Sequence, residues 1–225
     1  MKTLVIHPSD RSTDFLKPVY QDLTNTTVVT EGLDHHEVAR EMDRHDRVIM
    51  MGHGCPWGLY AIGMRGDHIG LIVNLDHTKD ILRNKRNTLM IWCNADIGAR
   101  RLGLPGFSTG MFISEQSETF LLNAPVSDEV IEESNRCFTE ALRCHIHLEE
   151  KALFDAVRHD YGRLLGHNPV AAYNHPLLQV QTMESLISWT PPPQRIKLPN
   201  TDGTGGYHYI WSDGRPWDGY SNTRI

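Results

Sequence analysis

Short apolar blocks that end in polar residues mark the first half of the chain. Residues 48–51 and 89–92 are wholly apolar, and each block is bounded by polar or turn residues. Runs of this length are typical of strands that are buried on both faces of a parallel sheet. The first block leads to His53 and the second leads directly to Cys93. Because ligand crevices in parallel sheets lie beyond the carboxyl ends of the strands, we expect these two residues to share one sheet edge.

The order of the predicted elements indicates the fold class. Further strands are expected in three β-branched or apolar runs, at residues 3–6, 26–30 and 110–113. Helices are expected where a capping residue precedes a helical repeat, at residues 12–23, 34–43, 78–84, 95–102, 127–148 and 149–161. This alternation predicts an α/β protein with a three-layer αβα architecture and a mostly parallel central sheet.

The helix predicted at residues 127–148 has an apolar stripe at helical spacing. The stripe that we expect to face the core comprises Val130, Cys137, Ala141, Cys144 and Leu148. If Cys137 and Cys144 are buried in this way, Cys93 should be alkylated faster than either of them.

Three consecutive prolines at residues 191–193 divide the sequence into two predicted parts. We expect an α/β domain at residues 1–190 and a proline-led tail at residues 191–225. Within the tail, residues 207–211 alternate like a strand and Asp213-Gly214 is a turn signal, which predicts an aromatic hairpin. Such a hairpin either packs on the main domain or binds a protein partner.

Composition and charge narrow the classes of function. The chain has 225 residues, of which 40% are hydrophobic, and a formal net charge of −6. This balance gives no basic field for nucleic acid or anionic membranes, and no apolar run approaches the roughly 18 to 20 residues that span a bilayer. We therefore expect neither partner. Because the start of the chain predicts a strand rather than a signal peptide, we expect a cytoplasmic protein with reduced thiols.

The sequence lacks the usual motifs for metals and cofactors. Although the chain has 13 histidines, it contains no HExxH pattern and no cysteine–histidine cluster at zinc spacing. Its glycine-rich stretches do not match a dinucleotide-binding pattern. We therefore predict that the protein uses no metal and no cofactor.

An apolar block closed by His53-Gly54, followed by a second block closed by Cys93, resembles the signature of the caspase-like cysteine peptidases. This group includes caspases, legumains, gingipains, separases and the bacterial CHAT domains, and the chain also resembles small bacterial proteins with this core. The resemblance covers about residues 1–115, and the two residues are 40 positions apart. It implies a caspase-like sheet in which the histidine and the cysteine follow adjacent strands.

The resemblance also implies roles for individual residues. Cys93 would attack the acyl carbon of a peptide or a small acyl substrate, and His53 would protonate the leaving group. The backbone N–H of Gly54 would bind the oxyanion. A helix predicted to begin after Asn94 would favour the Cys93 thiolate. These roles predict a cysteine-dependent hydrolase of the peptidase type.

Neighbouring residues leave alternatives open. Asp96 and Glu115 are candidates for orienting His53 or for binding a cationic substrate side chain. Cys55 is an alternative thiol. Trp92 stands where the family has a small residue, so its ring is a candidate to block a substrate pocket. This difference favours a second function, a catalytically inactive caspase-like module that binds a ligand or a protein partner.

Overall fold

Strands and helices alternate along the chain. The computed structural model describes residues 1–61, 70–122, 124–182 and 184, together with the backbone of strands at 195–199 and 207–211. In chain order the strands are β1 (Thr3–Ile6), β2 (Thr26–Val29), β3 (Arg47–Met51), β4 (Gly54–Cys55), β5 (Gly58–Tyr60), β6 (Leu71–Asn74), β7 (Leu89–Ile91), β8 (Gly106–Thr109), β9 (Leu178–Gln181), β10 (Arg195–Pro199) and β11 (Tyr207–Trp211). The α-helices are α1 (His35–Asp43), α2 (Leu75–Leu82), α3 (Ala95–Leu102), α4 (Asp128–His145), α5 (Glu150–Tyr161) and α6 (Pro169–Asn174). Short 3-10 helices span Arg11–Val19, Gln116–Leu122, Gly162–Leu164 and His175–Leu177.

The main sheet of the described residues has six strands in the order β2-β1-β3-β7-β8-β9. β1 pairs in parallel with β2 and β3, β3 pairs in parallel with β7, and β7 pairs in parallel with β8. β9 runs antiparallel to β8 at the edge. The predicted α/β class with a mostly parallel sheet is therefore confirmed, and the antiparallel edge makes the sheet mixed.

Apolar side chains cover both faces of this sheet. Successive residues of a strand point to opposite faces. In β3, Ile49 and Met51 join one core cluster, whereas Val48 and Met50 join the other. The first cluster includes side chains of α4 and α5, and the second includes side chains of α1, α2 and α3. Helices therefore cover both faces, which is consistent with three αβα layers.

Capping residues determine where the helices begin. Asp34 forms a capping box at the start of α1, as expected for a helix at residues 34–43. The Asn74 side chain accepts hydrogen bonds from two backbone N–H groups, so α2 begins earlier than predicted. Asp10 caps the first helical segment, which is a 3-10 helix rather than the α-helix expected over residues 12–23.

The strand predicted at residues 110–113 is wrong. The paired strand is β8, and residues 110–113 follow it without strand pairing. The apolar side chains are buried by other contacts, since the Phe112 ring centre lies 4.7 Å from that of Phe138. The Ile113 N–H donates to Asn174 Oδ1 at 2.8 Å. A side-chain amide thus replaces the strand partner that the apolar pattern predicted.

The core-facing stripe of α4 also differs from the prediction. Ile131, Phe138 and Leu142 are buried. Cys144 is exposed and Cys137 is only partly buried. Of the predicted stripe, Ala141 belongs to the core cluster and Cys137 and Leu148 pack against it, whereas Cys144 lies outside it. The premise that both cysteines are protected from alkylation is therefore wrong.

A small antiparallel sheet, in the order β4-β5-β6, follows the His53 segment. Gly58 in β5 has a φ of +153°, and a Cβ there would overlap the Val73 carbonyl oxygen. Glycine is therefore required for the close approach of β5 and β6. The sequence predicted only a glycine-rich region here, and residues 62–69 lie outside the described residues.

The contacts divide the chain into two units, Met1–Trp189 and Thr190–Ile225. In the second unit β10 pairs antiparallel with β11, and Ile196 lies opposite Ile210. β11 spans the residues that were expected to form a strand, but this partner strand precedes it in the sequence. The turn predicted at Asp213-Gly214 lies outside the described residues, and a role of the tail in partner binding stays a prediction.

Gly98 of α3 allows a close approach between the segments that follow β7 and β3. A Cβ at Gly98 would overlap the Pro56 carbonyl oxygen and would lie 2.6 Å from Leu75 Cδ1. Alanine normally stabilises a helix interior by about 1 kcal/mol relative to glycine, but overpacking costs about 1–3 kcal/mol. Since the overlap is with backbone, which cannot move aside as a side chain can, the cost lies at the upper end of this range, and we expect Gly98→Ala to lower the free energy of unfolding, measured by urea denaturation, by about 1–2 kcal/mol.

Gly166→Ala is the control for this substitution, because nothing lies within 4 Å of a Cβ at Gly166. We expect its free energy of unfolding to stay within about 0.5 kcal/mol of the wild-type value. If Gly98→Ala were as stable as the wild type, α3 would not approach Pro56 this closely.

Candidate active site

The register of β3 and β7 brings His53 and Cys93 to one edge of the sheet. Met51 lies opposite Ile91 in this parallel pair. The Gly52 N–H extends the pairing by donating to the Ile91 carbonyl oxygen at 3.0 Å. Because His53 and Cys93 each stand two positions beyond a paired residue, both emerge where the strands end.

His53 and Cys93 line the same small cavity, which has a volume of about 30 Å³. Gly52, Thr109 and Phe112 form part of its wall. A cavity of this size holds about one water molecule. An acyl group would therefore have to approach the thiol from the rim of the cavity.

A hydrogen bond to Ser12 holds the His53 ring. Ser12 Oγ lies 2.6 Å from His53 Nε2, and the Ser12 hydroxyl donates to Asp10 Oδ1 at 2.7 Å. Asp10 also accepts a hydrogen bond from the Ser12 backbone N–H at 2.9 Å, as the N-cap of the 3-10 helix Arg11–Val19. The hydrogen bonds from Ser12, led by that of its hydroxyl, lower the pKa of Asp10.

The Cys93 thiol lies beside a buried carboxylate. Its Sγ donates to Glu118 Oε1 across 3.7 Å, and Glu118 is only 8% exposed. Burial of the sulfur, followed by the negative charge of Glu118, raises the pKa of Cys93 to about 12. A neutral thiol is therefore the stable form near neutral pH.

The N-terminus of α3 does not stabilise the thiolate of Cys93 enough to make it the favoured form. Asn94 occupies the N-cap position with a φ of 63°, and its side chain makes no capping hydrogen bond. A hydrogen bond from the Phe112 backbone lowers the pKa of Cys93, but burial and Glu118 outweigh it. The thiolate predicted at this helix terminus is thus not the form that the surroundings favour.

Hydrogen bonds from the backbone fix Glu118 in this position. Its Oε2 accepts from the N–H groups of Ser114 and Glu115 at 2.7 Å and 3.2 Å. The sequence did not identify Glu118 or Ser12 as members of the site. The only signal for Ser12 is the helix-start chemistry of its segment, and no motif marks Glu118.

Trp92 supports the His53 segment from the opposite face of the sheet. Its side chain is 2% exposed and belongs to the core cluster that faces α1, α2 and α3. The indole N–H donates to the Cys55 carbonyl oxygen at 3.0 Å. Although Trp92 also borders the small cavity, its ring is anchored on the other side of the sheet from Cys93.

Asp96 and Glu115 have partners other than His53. Asp96, in the first turn of α3, forms an ion pair through Oδ2 with Arg100 of the last turn at 2.6 Å, and burial raises the pKa of Asp96. Glu115 accepts a hydrogen bond from the Ser117 hydroxyl. Within the described residues, Ser12 rather than either carboxylate is hydrogen-bonded to the imidazole of His53. Their roles toward a substrate stay predictions.

The fold and the site define an α/β protein with a cysteine and a histidine at the carboxyl edge of a mixed, mostly parallel sheet. A scan against protein-family models and a search of curated proteins found no match to the chain. In the part of the chain that the structure describes, no helix is both long and apolar enough to cross a membrane. Within those residues, no group of three or more histidine, cysteine or acidic side chains is arranged to hold a metal ion.

Glu118→Gln tests the electrostatic control of Cys93. The substitution removes the negative charge beside the thiol and should lower the pKa of Cys93, because such a charge shifts a pKa by about 1–3 units. At a given pH, more of the thiol would then be ionised. We expect alkylation of Cys93 by iodoacetamide, followed by mass spectrometry from about pH 7 to about pH 10, to accelerate at least about tenfold.

Glu115→Gln is the matched control, because Glu115 raises the pKa of Cys93 less than Glu118 does. The exposed Cys144 provides an internal reference rate, and in the wild type it should be alkylated before Cys93. Unchanged alkylation of Cys93 in Glu118→Gln would contradict the electrostatic role of Glu118.

Proposed function

We propose that the chain is a cysteine-dependent hydrolase of caspase-like architecture that acts on a peptide or a small acyl substrate. The observation that carries this proposal is the parallel pairing of Met51 with Ile91, which brings His53 and Cys93 to a common cavity. The resemblance of the two apolar blocks to those of caspase-like peptidases supports it.

Cys93 is the nucleophile of the proposed reaction. Its sulfur forms a bond to the acyl carbon while the thiol proton passes to His53. As the tetrahedral intermediate collapses, the bond to the leaving group breaks and His53 donates the proton to that group. Water then attacks the thioester, which releases the acid and restores the thiol. The Gly54 backbone N–H is the proposed oxyanion donor.

The surroundings of Cys93 favour deprotonation during the attack over a preformed thiolate. With the pKa of Cys93 raised to about 12, the thiolate fraction near neutral pH is on the order of 10⁻⁵. A base must therefore take the proton as the sulfur–carbon bond forms. His53 lines the same cavity and is the proposed base. Burial and Glu118 then keep the thiol protonated between turnovers, which also protects it from oxidation.

A larger cavity at the same edge of the sheet has room for part of a substrate. It has a volume of about 260 Å³, and its walls include Ile6, Val29 and Leu33. Pro8 also lines it, and Pro8 Cδ would lie 3.6 Å from a Cβ at Gly52. Gly52 also borders the small cavity, but Ile6, Val29 and Leu33 belong to or pack against the core cluster on the other face of the sheet, so a substrate would reach both cavities only around the ends of the strands. In this proposal the larger cavity binds an apolar part of the substrate.

A catalytically inactive caspase-like module that binds a ligand or a protein partner is the second candidate. The burial of Cys93 beside the Glu118 carboxylate favours it, because both raise the pKa of the thiol, and a thiol with a raised pKa is a weak nucleophile near neutral pH. In that case the cavity of about 260 Å³ is the proposed ligand site.

Hydrolysis of a panel of fluorogenic peptides and thioesters distinguishes the two candidates. We expect the wild type to hydrolyse at least one member, Cys93→Ala to abolish this activity, and His53→Ala to lower kcat about 100-fold or more. Cys144→Ala is the matched control, since Cys144 is exposed on α4. Activity that survives Cys93→Ala would contradict the assigned nucleophile. A wild type that hydrolyses no member of the panel would favour the binding module.

A further inference from the structure

The hydrogen bonds of Ser12 determine where its hydroxyl proton lies. Ser12 Oγ is 2.6 Å from His53 Nε2 and 2.7 Å from Asp10 Oδ1. A hydroxyl group has one proton, so it donates to only one of these partners. The hydrogen bonds from Ser12 lower the pKa of Asp10, so this carboxylate is ionised near neutral pH and can only accept. The hydroxyl proton therefore points to Asp10.

The second hydrogen bond of Ser12 must then be donated by the imidazole. With its own proton given to Asp10, Ser12 Oγ is left as an acceptor toward His53 Nε2. A neutral imidazole has one ring proton, and this bond places that proton on Nε2. Nδ1 of His53 is left with a free lone pair.

We propose that Ser12, oriented by Asp10, is a positioning residue that fixes His53 as the Nε2–H tautomer and leaves Nδ1 to take the proton of Cys93. This inference rests on the proposed function, in which His53 is the acid–base group. When Nδ1 accepts the proton, Nε2–H remains donated to Ser12. The imidazolium is then linked through the hydroxyl to the negative charge of Asp10.

The segment that carries Ser12 is fixed to the core. Its 3-10 helix is anchored by Leu16 and Val19, which are 2% and 1% exposed. Thr139 Oγ1 of α4 donates to the Phe15 carbonyl oxygen at 3.0 Å. A hydroxyl on such an anchored element holds its partner ring more firmly than one on a free loop would.

The tautomer of His53 can be measured without turnover. Long-range proton–nitrogen correlation spectra of the full chain at about pH 8.5, above the ordinary histidine range, report which ring nitrogen is protonated. The signal lost in His53→Gln identifies His53. We expect the wild type and Ser12→Thr to show a protonated Nε2 and an unprotonated Nδ1. Ser12→Ala and Asp10→Ala should each show a mixture of both tautomers.

Asp34→Ala is the matched control for the loss of a helix cap, because Asp34 caps α1 as Asp10 caps the 3-10 helix. It should leave the tautomer of His53 unchanged. A protonated Nδ1 in the wild type, or an unchanged tautomer in Ser12→Ala, would overturn the proposal.

Kinetics separates a failure of this proposal from a failure of the proposed function. With any panel substrate that the wild type hydrolyses, Ser12→Ala should lower kcat about 10- to 100-fold with little change in KM, and Ser12→Thr should restore most of the loss. Hydrolysis that needs Cys93 and His53 but not Ser12 would refute the positioning role. If no substrate is hydrolysed while the tautomer follows Ser12, the hydrolase function fails and the tautomer assignment stands.

Discussion

The parallel pairing of β3 with β7 is the constraint on which the rest of the arrangement depends. Both strands have neighbours on each side, so their side chains meet helices above and below the sheet. Apolar residues suit such positions, which explains the two blocks in the sequence, although Arg47 at the start of β3 is also buried and donates to the Asn87 carbonyl oxygen. The same pairing fixes the site, because side chains alternate between faces. A slip of one residue in β7 would move Cys93 to the face that Trp92 now occupies.

Two carboxylates approach the end of this apolar sheet in different ways. Asp10 reaches His53 through the hydroxyl of Ser12, whereas Glu118 contacts the Cys93 thiol directly. The Asp10–Ser12 pair stabilises a positive charge on the imidazole of His53. The Glu118 carboxylate opposes ionisation of the sulfur. A resting thiolate–imidazolium pair is therefore disfavoured, so the proposed hydrolase mechanism requires a proton transfer that is coupled to bond formation.

The sequence correctly predicted elements that depend on local residue patterns. It did not predict features that depend on a side chain far away in the sequence. Residues 48–51 and 89–92 were identified as strands because burial on both faces leaves no polar position. Residues 110–113 carry the same signal, but the Asn174 side chain supplies both backbone hydrogen bonds of Ile113 in place of a neighbouring strand. In α4, more than one stripe fits helical spacing, and packing against the sheet selected the one that contains Phe138.

The pair of His53 and Cys93 could be predicted because each residue ends an apolar strand, but their partners could not. Ser12 and Glu118 reach the site through the folded positions of two 3-10 helices. Hydrogen bonds between residues so far apart in the sequence leave no periodic signal. The pKa of Cys93 is raised by its burial and then by the charge of Glu118, and both depend on the folded surroundings of the thiol, so the sequence could not predict its protonation state.

The direction of the Trp92 side chain changes the role that we assign to this residue. In the sequence, a large ring next to Cys93 is a candidate to block a substrate pocket. Neighbouring residues at a strand end face opposite sides, and the ring instead donates to the Cys55 carbonyl oxygen and lies where a Cβ on Gly54 would overlap it. The size of Trp92 therefore sets the path of the segment that carries His53 and Gly54. The property of the site that bears on the two proposed functions is therefore the raised pKa of Cys93, caused by burial and by the charge of Glu118, rather than the room that Trp92 leaves.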